Sequence, residues 1–215
     1  MSLIATLTAK LRTIFGTSLR GLDEFYLDNG TETVGGLALP FKRYYPLRLL
    51  PDNRKPTITS RHGINNPSRK NHYGVDLFYK WQAGDAAMRI GDGGRTKKWF
   101  IPDNTWSVAP ADGLVTIAGN SRTGHRVWIQ HAGGLLTGGF HMTKIKVQAG
   151  DAVKAGDPIG IVGDNPVDND ARHLHWECYQ GSISGYPKGT IDPERFLKGA
   201  LYLPALPTSD IRSNS

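Results

Sequence analysis

From Thr57 onward, short β-prone runs alternate with glycine-bearing turns, and this punctuation constrains the fold more than any other feature of the sequence. The runs are Gly113–Ala118, Arg126–His131, Lys144–Val147, Ile159–Val162 and His173–Tyr179. Between them stand the turn clusters Ala111–Gly113, Ala132–Gly134, Ala149–Asp151 and Gly163–Pro166. With 26 glycines and 13 prolines in 215 residues, the spacing predicts a mainly β, antiparallel domain. The 39% hydrophobic content is enough for one core.

Residues 1–50 read as an N-terminal extension, 51–200 as the main domain and 201–215 as a loose, polar tail. Within the extension, Leu3, Ile4, Leu7, Leu11, Ile14 and Phe15 follow helical spacing, with Lys10 and Arg12 opposite them. Such a helix could dock on a membrane or a partner, although packing on its own chain is the favoured reading. A long insertion, Lys80 to Trp106, carries Trp81, Trp99 and Trp106. Its aromatics predict an ordered flap, or else a hairpin covering a sheet edge.

The net charge of +7 suits polyanionic partners. The basic residues are scattered, with short clusters at Arg69-Lys70 and Lys97-Lys98, and no nucleic-acid-binding module is recognisable, so nucleic acid is not an expected partner. No stretch is apolar for the roughly 18 residues that a transmembrane helix needs. The single cysteine, Cys178, excludes an intrachain disulfide and a cysteine-rich metal site.

Chemistry concentrates in His72-Tyr73-Gly74-Val75-Asp76, in His173-Leu174-His175-Trp176-Glu177, and in His141 between them. On a strand, His173, His175 and Glu177 share one face, while Leu174, Trp176 and Cys178 take the other. His72 and Asp76 would stand about 13 Å apart in an extended strand, too far to share one ion. The chain must therefore curl between them, and Gly74 is placed to allow it. Two histidines and a carboxylate, with a coordination position left for water, are the ligand pattern of a catalytic zinc centre. His141 and His173 are then candidates to take a proton or to stabilise an oxyanion. Glu177 would either hydrogen-bond a ligand or simply end its strand.

These motifs, in this order, resemble the lysostaphin/LytM-type zinc endopeptidases of bacterial peptidoglycan. The resemblance spans about residues 57–197 and includes Thr59–Gly63, Val108–Gly113, Val127–His131, Gly138–Met142 and Val147–Gly160. It implies one Zn2+ per chain on His72, Asp76 and His175, with His141 and His173 as the catalytic histidines. It also implies a small antiparallel, barrel-sandwich-like β domain with an open groove, and hydrolysis of peptide cross-links in the cell wall. His131 is read as structural, and His62 and His125 as surface or turn residues.

The sequence departs from the family pattern at Gly139, where a tyrosine is usual, at Met142, in the Asp164–Arg172 run and in the Lys80–Trp106 insertion. These departures bear on the groove walls, and Phe140 or an insertion tryptophan is expected to supply the missing aromatic contact. The N-terminus does not read as a secretory signal. That leaves release by lysis or carriage on a phage particle as routes to the wall, with phage structural proteins as partners for residues 1–50. The competing readings are an inactive relative that binds wall or activates another hydrolase, a biotinyl- or lipoyl-type carrier, and a zinc hydrolase of another class.

Overall fold

The computed structural model describes residues 42–63, 72–90, 94–166, 171–181 and 189–206, together with two short strands nearer the N-terminus. The chain divides into two compact units, Met1–Phe41 and Lys42–Ser215. In the first, β1 (Thr33–Val34) pairs antiparallel with β2 (Leu37–Ala38). The helix expected over residues 3–15 lies outside the described residues.

The second unit is built from β3 (Pro56–Ser60), β4 (Val75–Lys80), β5 (Met88–Ile90), β6 (Gly94–Thr96), β7 (Trp99–Phe100) and β8 (Trp106–Val108). These are followed by β9 (Gly113–Ser121), β10 (Gly124–Gln130), β11 (Leu135–Ile145), β12 (Ala152–Val153), β13 (Pro158–Val162), β14 (Leu174–Gln180) and β15 (Thr190–Ile191). One short helix, α1 (Pro193–Leu197), comes last. Eleven of these strands form one antiparallel sheet with the central order β12-β9-β10-β11-β14-β4-β3. The sheet is open, and the mainly β, antiparallel expectation holds.

Both faces of the sheet bury apolar side chains. On one face Trp128, Leu136, Phe140 and Tyr179 pack together, joined by Ile117. On the other, Trp176 meets Phe196 of α1 with ring centroids 5.1 Å apart. The helix starts on Pro193, and the Asp192 carboxylate caps it by accepting from the Glu194 N–H at 2.9 Å. That places Phe196 and Leu197 in the core.

One expectation is corrected. Of the strand expected at Lys144–Val147, only Lys144 and Ile145 lie in a strand, as the end of β11, which begins at Leu135. Gly138 and Gly139 hid it, because glycine weakens a strand signal. Gly138 is required by close packing: a Cβ there would lie 2.8 Å from the Trp128 ring. The Lys80–Trp106 insertion forms the β5–β6 hairpin, a two-stranded sheet of its own, and then β7, which joins the main sheet by pairing with the end of β4 on the side opposite β3. Trp106 already belongs to β8.

Candidate metal centre

The register of β11, β14 and β4 sets Phe140, His175 and Asp76 in one row across the sheet. Residues directly opposite one another on paired strands share a face, so His175 and Asp76 point to the same side. His72 lies just before β4, and the chain bends at Gly74 to bring its ring over that face. Gly74 serves here through its lack of bulk, since its φ is not in the left-handed region. A Cβ there would sit 2.5 Å from the Trp176 carbonyl oxygen and 2.9 Å from His175 Cε1. The expected curl is present, but its cause is close approach to β14 and not conformational freedom.

Three donor atoms converge as a result. His72 Nε2 lies 3.1 Å from Asp76 Oδ1 and 3.1 Å from His175 Nδ1, and His175 Nδ1 lies 2.9 Å from Asp76 Oδ1. The other ring nitrogens are committed. His72 Nδ1–H donates to the Arg61 carbonyl at 2.9 Å, and His175 Nε2–H donates to Glu177 Oε1 at 3.0 Å. In their neutral forms, then, both imidazoles turn lone pairs toward the carboxylate, which is the donor set of a cation site. A tetrahedral ion with bonds of about 2.0–2.1 Å spaces its ligand atoms about 3.3 Å apart. The observed triangle fits a zinc-sized ion once each edge opens slightly.

The electrostatics agree with this geometry. Burial favours neutral forms here, yet the Asp76 carboxyl is held well below its usual range by hydrogen bonds from His173, His175 and His72. Burial also works against charge on His175, but Asp76 and Glu177 together raise it to about 9. Without a metal, an extra proton on His175 relieves the clash of lone pairs, and a bound cation would displace it.

His141 and His173 stand beside this triangle. Their ring centroids are 4.7 Å apart, and His141 lies 5.7 Å from His175. His173 is reached by simple alternation from His175. His141 is not, because Phe140 already occupies the site face in the row of His175. A β-bulge resolves this: Phe140 and His141 together stand opposite the single residue Arg126 of β10. His141 adopts φ 62°, a left-handed conformation that costs a non-glycine residue on the order of 1 kcal/mol or more. Its Nδ1–H donates to the Thr123 carbonyl at 2.8 Å, leaving Nε2 unprotonated. Burial, with the neighbouring His173, lowers its pKa to about 3. His173 Nδ1–H donates to the Ala171 carbonyl at 2.7 Å, and its Nε2 lies 3.5 Å from Asp76 Oδ1. The Phe78 ring stacks on His173, with centroids 5.4 Å apart and planes 19° from parallel.

The remaining histidines stay out of the centre. His131 is buried between the Asp112 carbonyl and Thr137 Oγ1, each 2.8 Å away, as expected of a structural residue. His62 lies at a turn. His125 is a half-buried residue of β10, rather than one at a turn. Cys178 is fully buried on the opposite face of β14. The sequence reading missed three supports of the centre: Phe78 and the carbonyls of Thr123 and Ala171. Phe78 was accessible to it, two residues after Asp76 on a strand; the carbonyls depend on loop paths that no residue pattern announces.

Comparison with known proteins agrees with this architecture. Residues 96–187 match Peptidase family M23, a span that includes His141, His173 and His175 but begins after His72 and Asp76. The glycyl-glycine endopeptidase ALE-1 of Staphylococcus capitis is 32% identical over 140 residues, 65% of this chain and 32% of that protein. Lysostaphin of Staphylococcus simulans is 31% identical over 132 residues, 61% of this chain and 22% of that protein. The solved structure of lysostaphin from the same organism superposes with a TM-score of 0.50 at 25% identity, over 77% of this chain and 59% of that one. The chain thus spans about a third or less of the curated relatives it matches. It carries a peptidase M23 domain, homologous to the corresponding parts of lysostaphin and ALE-1.

Proposed function

We propose that this chain is a zinc-dependent endopeptidase that hydrolyses a peptide cross-link of bacterial peptidoglycan. In this reading His72, Asp76 and His175 hold one zinc ion, and His141 and His173 act on the reacting amide. The observation that carries the proposal is the convergence of His72 Nε2, Asp76 Oδ1 and His175 Nδ1 within 3.1 Å of one another, beside two further buried imidazoles. Support for the substrate class comes from the relatives, one of which is named for glycyl-glycine endopeptidase activity. The net charge of +7 suits an anionic wall.

Zinc at such a site lowers the pKa of water and polarises a carbonyl. The protein's own groups do the rest. His141 presents an unprotonated Nε2, since its Nδ1–H is held by Thr123, so it can accept a proton from the attacking water. His173 is oriented by Ala171 and by the stacked Phe78 ring, and protonated at Nε2 it can donate to the oxyanion of the tetrahedral intermediate. The buried aromatic cluster beside His175 makes its surroundings less polar, which strengthens both interactions.

Digestion of purified sacculi tests the proposal, using walls cross-linked directly and walls cross-linked through glycine bridges, with products identified by mass. The expected result is hydrolysis at one defined amide bond, abolished by a chelator and restored by zinc. Absence of amide cleavage in every wall type by zinc-loaded protein would contradict it. His141→Ala and His173→Ala are each expected to lower turnover by about 10²–10⁴-fold while leaving zinc bound.

A further inference from the structure

The site face of β4 does not end at the metal centre. Side chains alternate along a strand, so Asp76, Phe78 and Lys80 lie on one face. Trp99 of β7 is the register partner of Lys80 and shares that face. Its ring lies 6.2 Å from Phe78, which in turn stacks on His173. A continuous path therefore runs from Asp76 past Phe78 to Lys80 and Trp99, and Lys98 Nζ sits over the Trp99 ring at 5.4 Å. At roughly 6.7 Å for every two residues, Lys80 stands about 13 Å along the strand from Asp76, the reach of about four extended peptide residues.

Among the described residues this end of the face is cationic and has no carboxylate paired with it. Two acids of the insertion are engaged elsewhere, Asp85 with Arg54 and Asp103 with Arg172, and the third, Asp92, lies outside the described residues. Lys80 and Lys98 are both exposed, and among the described residues neither has an ion-pair partner. The ring beneath Lys98 orients its ammonium without neutralising it. The backbone that carries these charges is fixed. Trp81 N–H donates to the Lys98 carbonyl at 3.1 Å, Lys98 N–H donates to Thr96 Oγ1 at 3.1 Å, and an Arg54 guanidinium N–H donates to the Lys80 carbonyl at 2.9 Å. Preorganised cations with no ion-pair partner among the described residues, in line with the candidate catalytic groups, suit an anionic group on an extended ligand.

We infer that Lys80 and Lys98 form a subsite for a free carboxylate on the substrate peptide, so that the preferred substrate is a carboxylate-bearing stem peptide and not an uncharged glycine bridge. This inference rests on the endopeptidase reading above. An all-glycine bridge offers the two lysines no side-chain charge. A stem peptide with a free carboxyl group about four residues from the cleaved bond offers one.

The test uses two synthetic cross-linked peptidoglycan fragments that differ only in whether that stem carboxyl is free or amidated. kcat and KM are measured for the zinc-loaded wild type, for Lys80→Gln/Lys98→Gln, and for Lys146→Gln. Lys146 is the control because it too lies over a tryptophan, Trp106 of β8, a strand that pairs with β13 and not with β4. The wild type is expected to show a KM about three- to tenfold lower for the free carboxylate. The double variant should lose that difference with kcat unchanged, and Lys146→Gln should keep it. The subsite is overturned if the double variant keeps the preference, if its KM rises equally on both fragments, or if Lys146→Gln erases the preference as well. It is also overturned if the double variant loses only binding to a phosphodiester wall polymer. If the wild type binds zinc yet cleaves neither fragment, the endopeptidase reading fails, and the subsite with it.

Discussion

His72 and His175 each offer a cation only one ring nitrogen, because hydrogen bonds to Arg61 and Glu177 occupy the other. Glu177 therefore leaves Nδ1 as the ring nitrogen His175 would offer to a metal, and it adds negative charge behind it. Glu177→Ala is expected to weaken zinc binding about ten- to a hundredfold in chelator competition, with Glu177→Gln, which retains an acceptor, losing much less. Equal affinity in wild type and Glu177→Ala would show that the contact is incidental. Gly74→Ala should destabilise the fold by about 1–3 kcal/mol in denaturant unfolding, because its Cβ meets the Trp176 carbonyl at 2.5 Å. At this scale the sequence was legible wherever a strict period of two applied, and His173, His175 and Glu177 fall on one face as that period requires. His141 marks the limit. Its place beside His173 depends on a bulge, and a bulge breaks the alternation from which a face is read.

Among the elements, β9 and β11 are tied together by His131, which follows β10 and bridges the Asp112 carbonyl just before β9 to Thr137 of β11. Burial depresses its pKa to about 4 from an ordinary value near 6.5. The neutral ring is the form the fold accepts, so this contribution is complete above about pH 6.5 and is lost as the pH falls toward about 4, up to about 3 kcal/mol in all. Denaturant unfolding across that window should show the decline, and His131→Gln should flatten it. A wild-type profile no steeper than the variant's would remove His131 as the cause. The turn clusters revealed β9, β10, β13 and β14, because glycine and aspartate mark strand ends. They could not reveal β7, whose two residues are defined only by pairing with Tyr79 and Lys80 of β4.

Across the whole molecule, the site is assembled from segments a hundred residues apart: His72 and Asp76 lie at one end of the domain and His175 at the other. Sequence order could suggest that convergence, but only the β14–β4 register brings it about. A ligand that binds the folded chain alone stabilises it by mass action. Zinc is therefore expected to raise the melting temperature of the wild type, and a chelator to reverse the rise. Asp76→Ala should show neither shift.

Zinc content per chain, measured after loading and exhaustive dialysis, tests the central claim most directly. One zinc ion is expected in the wild type and in His141→Ala, and none in Asp76→Ala. A full equivalent of zinc retained by Asp76→Ala, or zinc lost from His141→Ala, would contradict the account.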